Sequence, residues 1–388
     1  MPAEKPVWVG VNPNVMNWAR ESIGITIPEV SRRLNIGEST VTNWETGDKK
    51  PTLNTLKKLA SLYKRPLAVF FLPIPPQEPP SPTDYRVLPE DKRRPLTKQA
   101  LLAIRRARYL QSVATELLRE ESVRDILPSF KRVSLNDDPE LVAEKERTKL
   151  GISPVDQQRF RSVYDAFNRW REVLENQRIL VLQSRMSVEE VRGFSLIDNQ
   201  IPVISVNMSD SISARVFTLF HEYAHILSEM AGICTPENIS PYDTNSQLIE
   251  RFCNHFAGAF LVPRYVLDQE TNVREIHRRG AIDTPLLFEI ANHFRVSVQV
   301  ILRRLLICGH ISRPQYQSKL EELEVQRRPP KRKRGFGMAT PKRCITENGR
   351  FFTAMTLAAK ERDSITYSDI ADYLAIDLKH LDKVEALL

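Results

Sequence analysis

The chain has 388 residues, 41% of them hydrophobic, enough for two or three domains with apolar cores; it has no run of eighteen apolar residues to span a membrane and no leader-like opening, so a cytoplasmic location is expected. Four scattered cysteines (Cys234, Cys253, Cys308, Cys344), none in a C-x-x-C pair, exclude a disulfide framework or a zinc ribbon. The formal charge of +8 is concentrated: residues 1–72 carry ten Lys/Arg against six Asp/Glu, and residues 313–335 eight against three, which points to an anionic partner, nucleic acid first.

Residues 12–72 predict five short helices. Asn14–Ile23 is the first and Pro28–Leu34 the second, with Pro28 in a tolerated first-turn position. Asn35–Ile36–Gly37 makes a turn, and Glu38–Glu45 is a third helix closed by Thr46–Gly47. Leu53, Leu56, Leu59, Ala60 and Leu62 give a fourth its apolar stripe, and Pro66 opens a fifth. Two short helices across a glycine-containing turn are the layout of a helix-turn-helix, whose second helix enters the major groove. Val30–Ile36, Val41–Gly47 and Lys50–Pro51–Thr52 resemble the XRE/Cro-type repressor domain. That resemblance implies a double-stranded DNA partner, with Ser39, Thr40 and Asn43 at base edges. It also implies Arg32, Arg33, Lys49 and Lys50 near phosphates, which set affinity rather than sequence choice. Ile27 departs from the glutamine common at the start of the second helix, and Glu38 and Glu45 on the reading helix do not attract phosphate.

Eight prolines between Pro73 and Pro95 make that stretch a semi-rigid spacer, interrupted by Asp84–Pro89, which carries groups able to dock on a domain surface. Helices are expected over about 97–121, 138–150 and 154–176, the last with a core face of Phe160, Val163, Tyr164, Phe167 and Trp170. Arg178–Leu182, Val191–Ile197 and Pro202–Val206 read as strands of a small sheet, with a turn at Asp198–Asn199–Gln200. Pro202 suggests that its strand lies at an edge, where a peptide substrate could add as a further strand.

Ser209–Asp210–Ser211 are capping residues for a helix running to about Met230. Its interior holds Phe220–His221–Glu222–Tyr223–Ala224–His225. Two histidines four apart lie on one helix face and can reach one metal ion, with Glu222 between them to hold and deprotonate a water. Catalytic zinc wants a third protein ligand. Glu250 is the best candidate, at the head of a helical stretch with an apolar face (Phe252, Phe256, Phe260) and small residues (Ala257, Gly258, Ala259) that permit close packing. Asn254, one turn on, could orient a ligand histidine. Cys253 and His255 compete for the third position, and Tyr223 and Tyr265 are candidates for an oxyanion partner.

Val191–Leu196, Phe217–His225 and Glu250-x-x-Cys253–Asn254-x-Phe256–Ala257-x-x-Phe260–Leu261–Val262–Pro263 resemble the ImmA/IrrE metallopeptidase family, and XRE–peptidase fusion is an arrangement known in that family. Asp84-x-Arg86-x-Leu88–Pro89 resembles it too. The resemblance implies Zn2+, or another divalent metal such as Mn2+, held by His221, His225 and Glu250, with Glu222 as general base. It further implies cleavage of a repressor protein that switches on a stress or mobile-element programme. Cys253, Gly258 and Val262 stand where alanine, alanine and methionine are commoner.

Residues 285–309 predict two more helices; Ala291-x-x-Phe294-x-Val296–Ser297 echoes a helix-turn-helix, yet the pair fits better as part of the peptidase domain's helical wall. Arg327–Arg334 holds six basic residues around Pro329–Pro330 and reads as a linker. The expected architecture is multidomain and mainly α. A five-helix XRE/Cro-like domain (1–72) leads through a proline-rich linker (73–95) to an α+β zincin-like metallopeptidase domain with a small sheet (96–310). A basic linker (311–335) and a small helical or mixed C-terminal domain (336–388), suited to binding substrate or effector, follow. A homodimer and no membrane partner are expected. The alternative class is a DNA-binding regulator or antitoxin-like protein whose peptidase domain serves as sensor or scaffold.

Overall fold

The computed structural model describes residues 6–78, 83–84, 96–120, 132–197, 201–230, 232–234, 245–325 and 338–388. The Asp84–Pro89 motif beyond Asp84, the turn at 198–200 and the basic run 327–334 lie outside these residues. The chain forms two compact units, one of Met1–Ser81 with Lys92–Arg105 and one of Pro82–Asp91 with Arg106–Leu388.

The first unit contains α1 (Pro13–Glu21), α2 (Ile27–Leu34), α3 (Glu38–Thr46), α4 (Leu53–Tyr63), a 3-10 turn (Leu67–Phe71) and the start of α5 (Lys98–Glu120). Side-chain caps at Asn12, Thr26 and Thr52 satisfy first-turn amides of α1, α2 and α4. The turn between α2 and α3 passes through Asn35 in the left-handed region (φ 54°), and Gly47 (φ 88°) closes α3. Met16, Ala19, Val30, Val41, Trp44, Leu56 and Leu59 form the core. Ile27 packs against that core.

The second unit begins with β1 (Thr83–Asp84), then the rest of α5, α6 (Pro139–Leu150), α7 (Pro154–Gln158) and α8 (Val163–Glu175). The helix expected over 154–176 is broken, because Ser162 caps a fresh start by accepting from the Asp165 amide. β2 (Leu180–Ser184), β3 (Gly193–Leu196), β4 (Val203–Asn207) and β5 (Gly232–Cys234) complete a sheet ordered β1-β5-β3-β4-β2. β3 pairs antiparallel with β4 and with β5, while β2 pairs parallel with β4 and β1 parallel with β5. The strand after Pro202 is therefore internal rather than an edge. Proline is tolerated because it precedes the ladder and offers only its carbonyl, which accepts from the Leu180 amide at 2.9 Å.

α9 (Ile212–Leu227) packs against α8, β3 and β4, and α10 (Asn245–Leu261) against α9 and α6. At the centre Trp170 meets Phe220 and Phe260 edge-on, and those two rings stack with centroids 4.1 Å apart. α11 (Arg264–Leu267), α12 (Thr271–Arg279), α13 (Thr284–Phe294), α14 (Val298–Ile307) and α15 (Arg313–Val325) follow; Ile290, Phe294, Ile301 and Leu305 of α13 and α14 belong to this same core. The chain ends in α16 (Thr340–Asn348), α17 (Arg350–Glu361), α18 (Tyr367–Leu374), a 3-10 turn (Leu378–His380) and α19 (Leu381–Glu385).

Two ion pairs knit this unit, one buried on both sides and one with a half-buried carboxylate. Arg304 of α14 grips Glu140 of α6 with two hydrogen bonds and donates to the Val262 carbonyl. Gly258 makes room for the arginine, since a Cβ there would sit 3.1 Å from its Cδ. Arg171 and Glu175 of α8 pair at 2.9 Å and reach the C-terminal helices: Arg171 donates to the Thr346 carbonyl (2.8 Å), and the Phe351 amide donates to Glu175 (3.2 Å). Burial pushes the Glu175 carboxyl up from its ordinary range, against the pull of Arg171. Gly349 (φ 87°) is the residue that lets backbone approach this pair.

Candidate metal centre

Ser211 caps α9 by accepting from the Ala214 amide, as its sequence suggests, and the helix runs unbroken through the motif with His221, Glu222 and His225 all buried. The Nε2 atoms of His221 and His225 lie 3.2 Å apart. From α10, Glu250 places Oε2 3.4 Å from His221 Nε2 and Oε1 3.3 Å from His225 Nε2. Among the described residues these three form the one His/Cys/Asp/Glu group of three or more close enough to hold a metal ion.

The hydrogen-bond pattern identifies what the three atoms present to one another. His225 Nδ1 faces the Met230 carbonyl at 2.8 Å, which only accepts, so Nδ1 carries the proton and Nε2 a lone pair. His221 Nδ1 faces Asn254 Oδ1 at 3.0 Å, with the same consequence. Two lone pairs and a carboxylate converging at 3.2–3.4 Å repel unless a cation lies between them. The spacing equals the edge of a tetrahedron with bonds of about 2.0–2.1 Å, the zinc–nitrogen length. Burial pushes the Glu250 carboxyl up, and a cation between the three atoms is what would keep it an anionic donor. The residues present fit a divalent metal.

Glu222 is fully buried on the same helix, and its Oε1 lies 3.0 Å from where a Cβ on Gly193 would be. The absence of a side chain on β3 is what gives the carboxylate its space. Sequence reasoning passed over the role of this glycine, although a glycine inside a strand run signals close approach. It also missed the Met230 carbonyl, which no side-chain pattern reveals.

The competing assignments fall elsewhere. His255 is bound to Glu140 at 2.7 Å. Cys253 is a buried thiol pushed up by burial. Tyr223 donates to Glu146 at 2.6 Å and is itself buried, which raises its hydroxyl and turns it away from the metal ligands. Tyr265 lines a cavity of about 700 Å3 with Arg147 and Arg264, among residues that include none of the metal triad.

In the first unit Arg32, Ser39, Lys49 and Lys50 are exposed, and Thr40 and Asn43 are half-buried on α3. Arg33 is exposed and tied to Glu29 at 2.6 Å. Glu45 turns inward: Arg20 of α1 holds both its oxygens, at 2.7 and 3.0 Å. One of the two acids that weigh against phosphate binding is thus neutralised within the domain.

Two imidazoles and a carboxylate from facing helices, beside a small mixed sheet and with an acid between the histidines, define a zincin-like metallopeptidase domain. Residues 174–306 match the family model of the IrrE N-terminal-like domain, a peptidase family, and residues 16–70 match a helix-turn-helix family model. The chain is an XRE-type helix-turn-helix protein fused to a peptidase domain of the ImmA/IrrE family. No curated protein matches it. Among the described residues no helix is long and apolar enough to cross a membrane.

Proposed function

We propose that this protein is a zinc-dependent endopeptidase that acts in the cytoplasm on a DNA-binding repressor, with its N-terminal domain bringing it to double-stranded DNA. The observation that carries this reading is the convergence of His221, His225 and Glu250 at 3.2–3.4 Å with Glu222 beside them. His221, His225 and Glu250 would hold the metal, whose chemistry is to polarise the scissile carbonyl and make water acidic near neutral pH. Glu222 takes the proton of the attacking water as the new C–O bond forms. It then delivers that proton to the amide nitrogen as the C–N bond breaks. Asn254 and the Met230 carbonyl fix the tautomer and rotation of the two imidazoles. On this reading residues 1–72 bind DNA through Ser39, Thr40 and Asn43 with Arg32, Arg33, Lys49 and Lys50 on the backbone, residues 96–310 cut, and the chain works as a homodimer on a repressor whose loss releases a stress or mobile-element programme.

The test pairs metal content with cleavage of the repressor encoded beside this protein's own gene. Glu222→Gln keeps the metal and loses cleavage by at least about a hundredfold, whereas His225→Ala loses both. A Glu222→Gln protein that cuts at the wild-type rate overturns the assignment.

A further inference from the structure

The three C-terminal helices α17–α19 repeat the N-terminal helix-turn-helix at a constant shift of 340 residues. α1 ends at Glu21 and α17 at Glu361; α2 ends at Leu34 and α18 at Leu374. Thr26 and Thr366 are the N-caps of α2 and α18, accepting from the amides of Glu29 and Asp369. Both second helices stop at a left-handed residue, Asn35 (φ 54°, ψ 54°) and Ala375 (φ 53°, ψ 48°). The next amide in each case reaches back five residues over 3.1 Å, Ile36 to the Ser31 carbonyl and Ile376 to the Ala371 carbonyl. Burial follows the same register: Val15, Met16 and Ala19 answer to Met355, Thr356 and Ala359, Val30 to Ile370, Val41 to Leu381, and Trp44 to Val384, all buried. The cap, the turn and these buried positions therefore recur at both ends of the chain, with the single helix α3 split into the 3-10 turn and α19 and with α19 packed on α16, and the helix-turn-helix family match covers only 16–70.

The register also says what the second copy presents. Ser39, Thr40 and Asn43, the reading positions of α3, correspond to Lys379, His380 and Lys383. Lys379 and Lys383 are exposed and His380 is half-buried. The Lys379 side chain is 71% exposed and pairs with Asp377 at 3.1 Å. Asp377, Asp382 and Glu385 beside these positions are exposed too, whereas on α18 Asp369 caps Thr366 and Asp372 accepts from the Tyr109 hydroxyl. Six of the eight residues 327–334, a little upstream in the sequence, are Lys or Arg.

The pair α13–α14 provides an internal contrast. It has the same turn, with Arg295 at φ 57° and the Val296 amide donating to the Ala291 carbonyl at 3.0 Å. There the position equivalent to Thr40 and His380 is Val300, buried in the peptidase core with Ile301 and Leu305. The other two positions there are Gln299, exposed, and Arg303, half-buried, so that copy buries the middle of its reading face, whereas α18–α19 leaves all three positions exposed or half-buried.

We infer that residues 350–388 form a second helix-turn-helix that binds double-stranded DNA through Lys379, His380 and Lys383. A lysine at a major-groove position donates to guanine O6 and N7 or to phosphate. Two reading heads on one chain let it bridge two DNA segments while the peptidase domain lies between them in sequence.

The experiment uses the full chain and a random-sequence duplex of about four helical turns. Hydrogen exchange with and without duplex reads the two heads separately, at 37–50 and at 377–385. DNA is expected to slow exchange at 377–385 in wild type. Lys379→Glu with Lys383→Glu removes that protection, lowers low-salt affinity about tenfold or more, and reduces the slope of log affinity against log salt by about two. Lys379→Arg with Lys383→Arg keeps all three and shows that the site tolerates substitution. Unchanged protection and salt slope in the charge-reversed protein overturn the inference, whatever happens at 37–50. So does loss of self-association on sedimentation with DNA binding intact, which would make this face a protein contact.

Discussion

Gly193→Ala isolates the way the sheet holds the general base. A Cβ at this position would stand 2.5 Å from Thr218 Cγ2, 3.0 Å from Glu222 Oε1 and 3.1 Å from the Ser205 carbonyl oxygen. Carbon–carbon contacts relax to about 3.5–4.0 Å, so the threonine methyl and the strand must separate by about 1 Å inside a packed core. Overpacking of this kind costs about 1–3 kcal/mol, which for a unit of this size lowers the melting temperature by about 2–12 °C. The carboxylate of Glu222 is displaced at the same time. Metal content should hold, because the three atoms nearest the new methyl group belong to Thr218, Glu222 and Ser205 rather than to either histidine or Glu250.

A second substitution separates the two consequences. Thr218→Ser removes the methyl that makes the worst contact and leaves those with Glu222 and Ser205. The double variant should regain much of the lost melting temperature while proteolysis stays impaired. Melting by scanning calorimetry, metal by elemental analysis and cleavage on gels read the three quantities independently. If Gly193→Ala melts and cuts like wild type, β3 does not fix the carboxylate and the geometric argument for Glu222 fails.

Other perturbations follow from the same structure. Asn254→Ala frees the His221 ring from its 3.0 Å partner and should weaken metal affinity by about ten- to a hundredfold in a chelator competition; an unchanged affinity would remove Asn254 from the site. Arg304→Leu strips Glu140 of its main partner and should destabilise the peptidase unit by about 3 kcal/mol at neutral pH. Burial raises the Glu140 carboxyl, but His255 and Arg304 bring it down to about 2, below its unfolded value. Its contribution is thus complete above the unfolded carboxylate range and is lost as pH falls toward about 2, so the gap between variant and wild type should close over that interval. A gap independent of pH would mean the loss is one of packing alone. Arg20→Ala leaves Glu45 unpaired on the reading helix and should weaken DNA retention though Arg20 faces inward; adding Glu45→Ala should restore part of it, and additive losses in the double variant would refute the coupling.

What was legible in the sequence is what is local. Histidines at 221 and 225 share a helix face by arithmetic alone, and Ser211, Thr26 and Gly47 mark helix ends by their own chemistry. The approach of Glu250 to the two histidines was legible for a related reason: small residues let α10 pack closely, and Glu250 stands at the head of that stretch. β1 and β5 were not legible, since strands of two and three residues have no period to detect. The interruption after Gln158 was hidden by an apolar stripe that continues on both sides of it. Nothing local distinguishes Arg171 and Glu175 from an ordinary i, i+4 surface pair. Only the fold shows that the C-terminal helices close over them.

The C-terminal repeat marks the same boundary between local and distributed information. Across Thr26–Glu45 and Thr366–Glu385 only Thr26, Leu34, Ile36 and Glu45 have identical counterparts, too few to see by eye. Yet the cap, the left-handed turn and the buried positions of Val30, Val41 and Trp44 are kept, because those are what a helix-turn-helix needs in order to pack. The reading face is free of that constraint. It has gone from uncharged polar residues at 39, 40 and 43 to Lys379, His380 and Lys383, and the α13–α14 pair shows that the same scaffold can also bury that face in a core. Packing preserves the motif, and exposure decides which copies are left to bind.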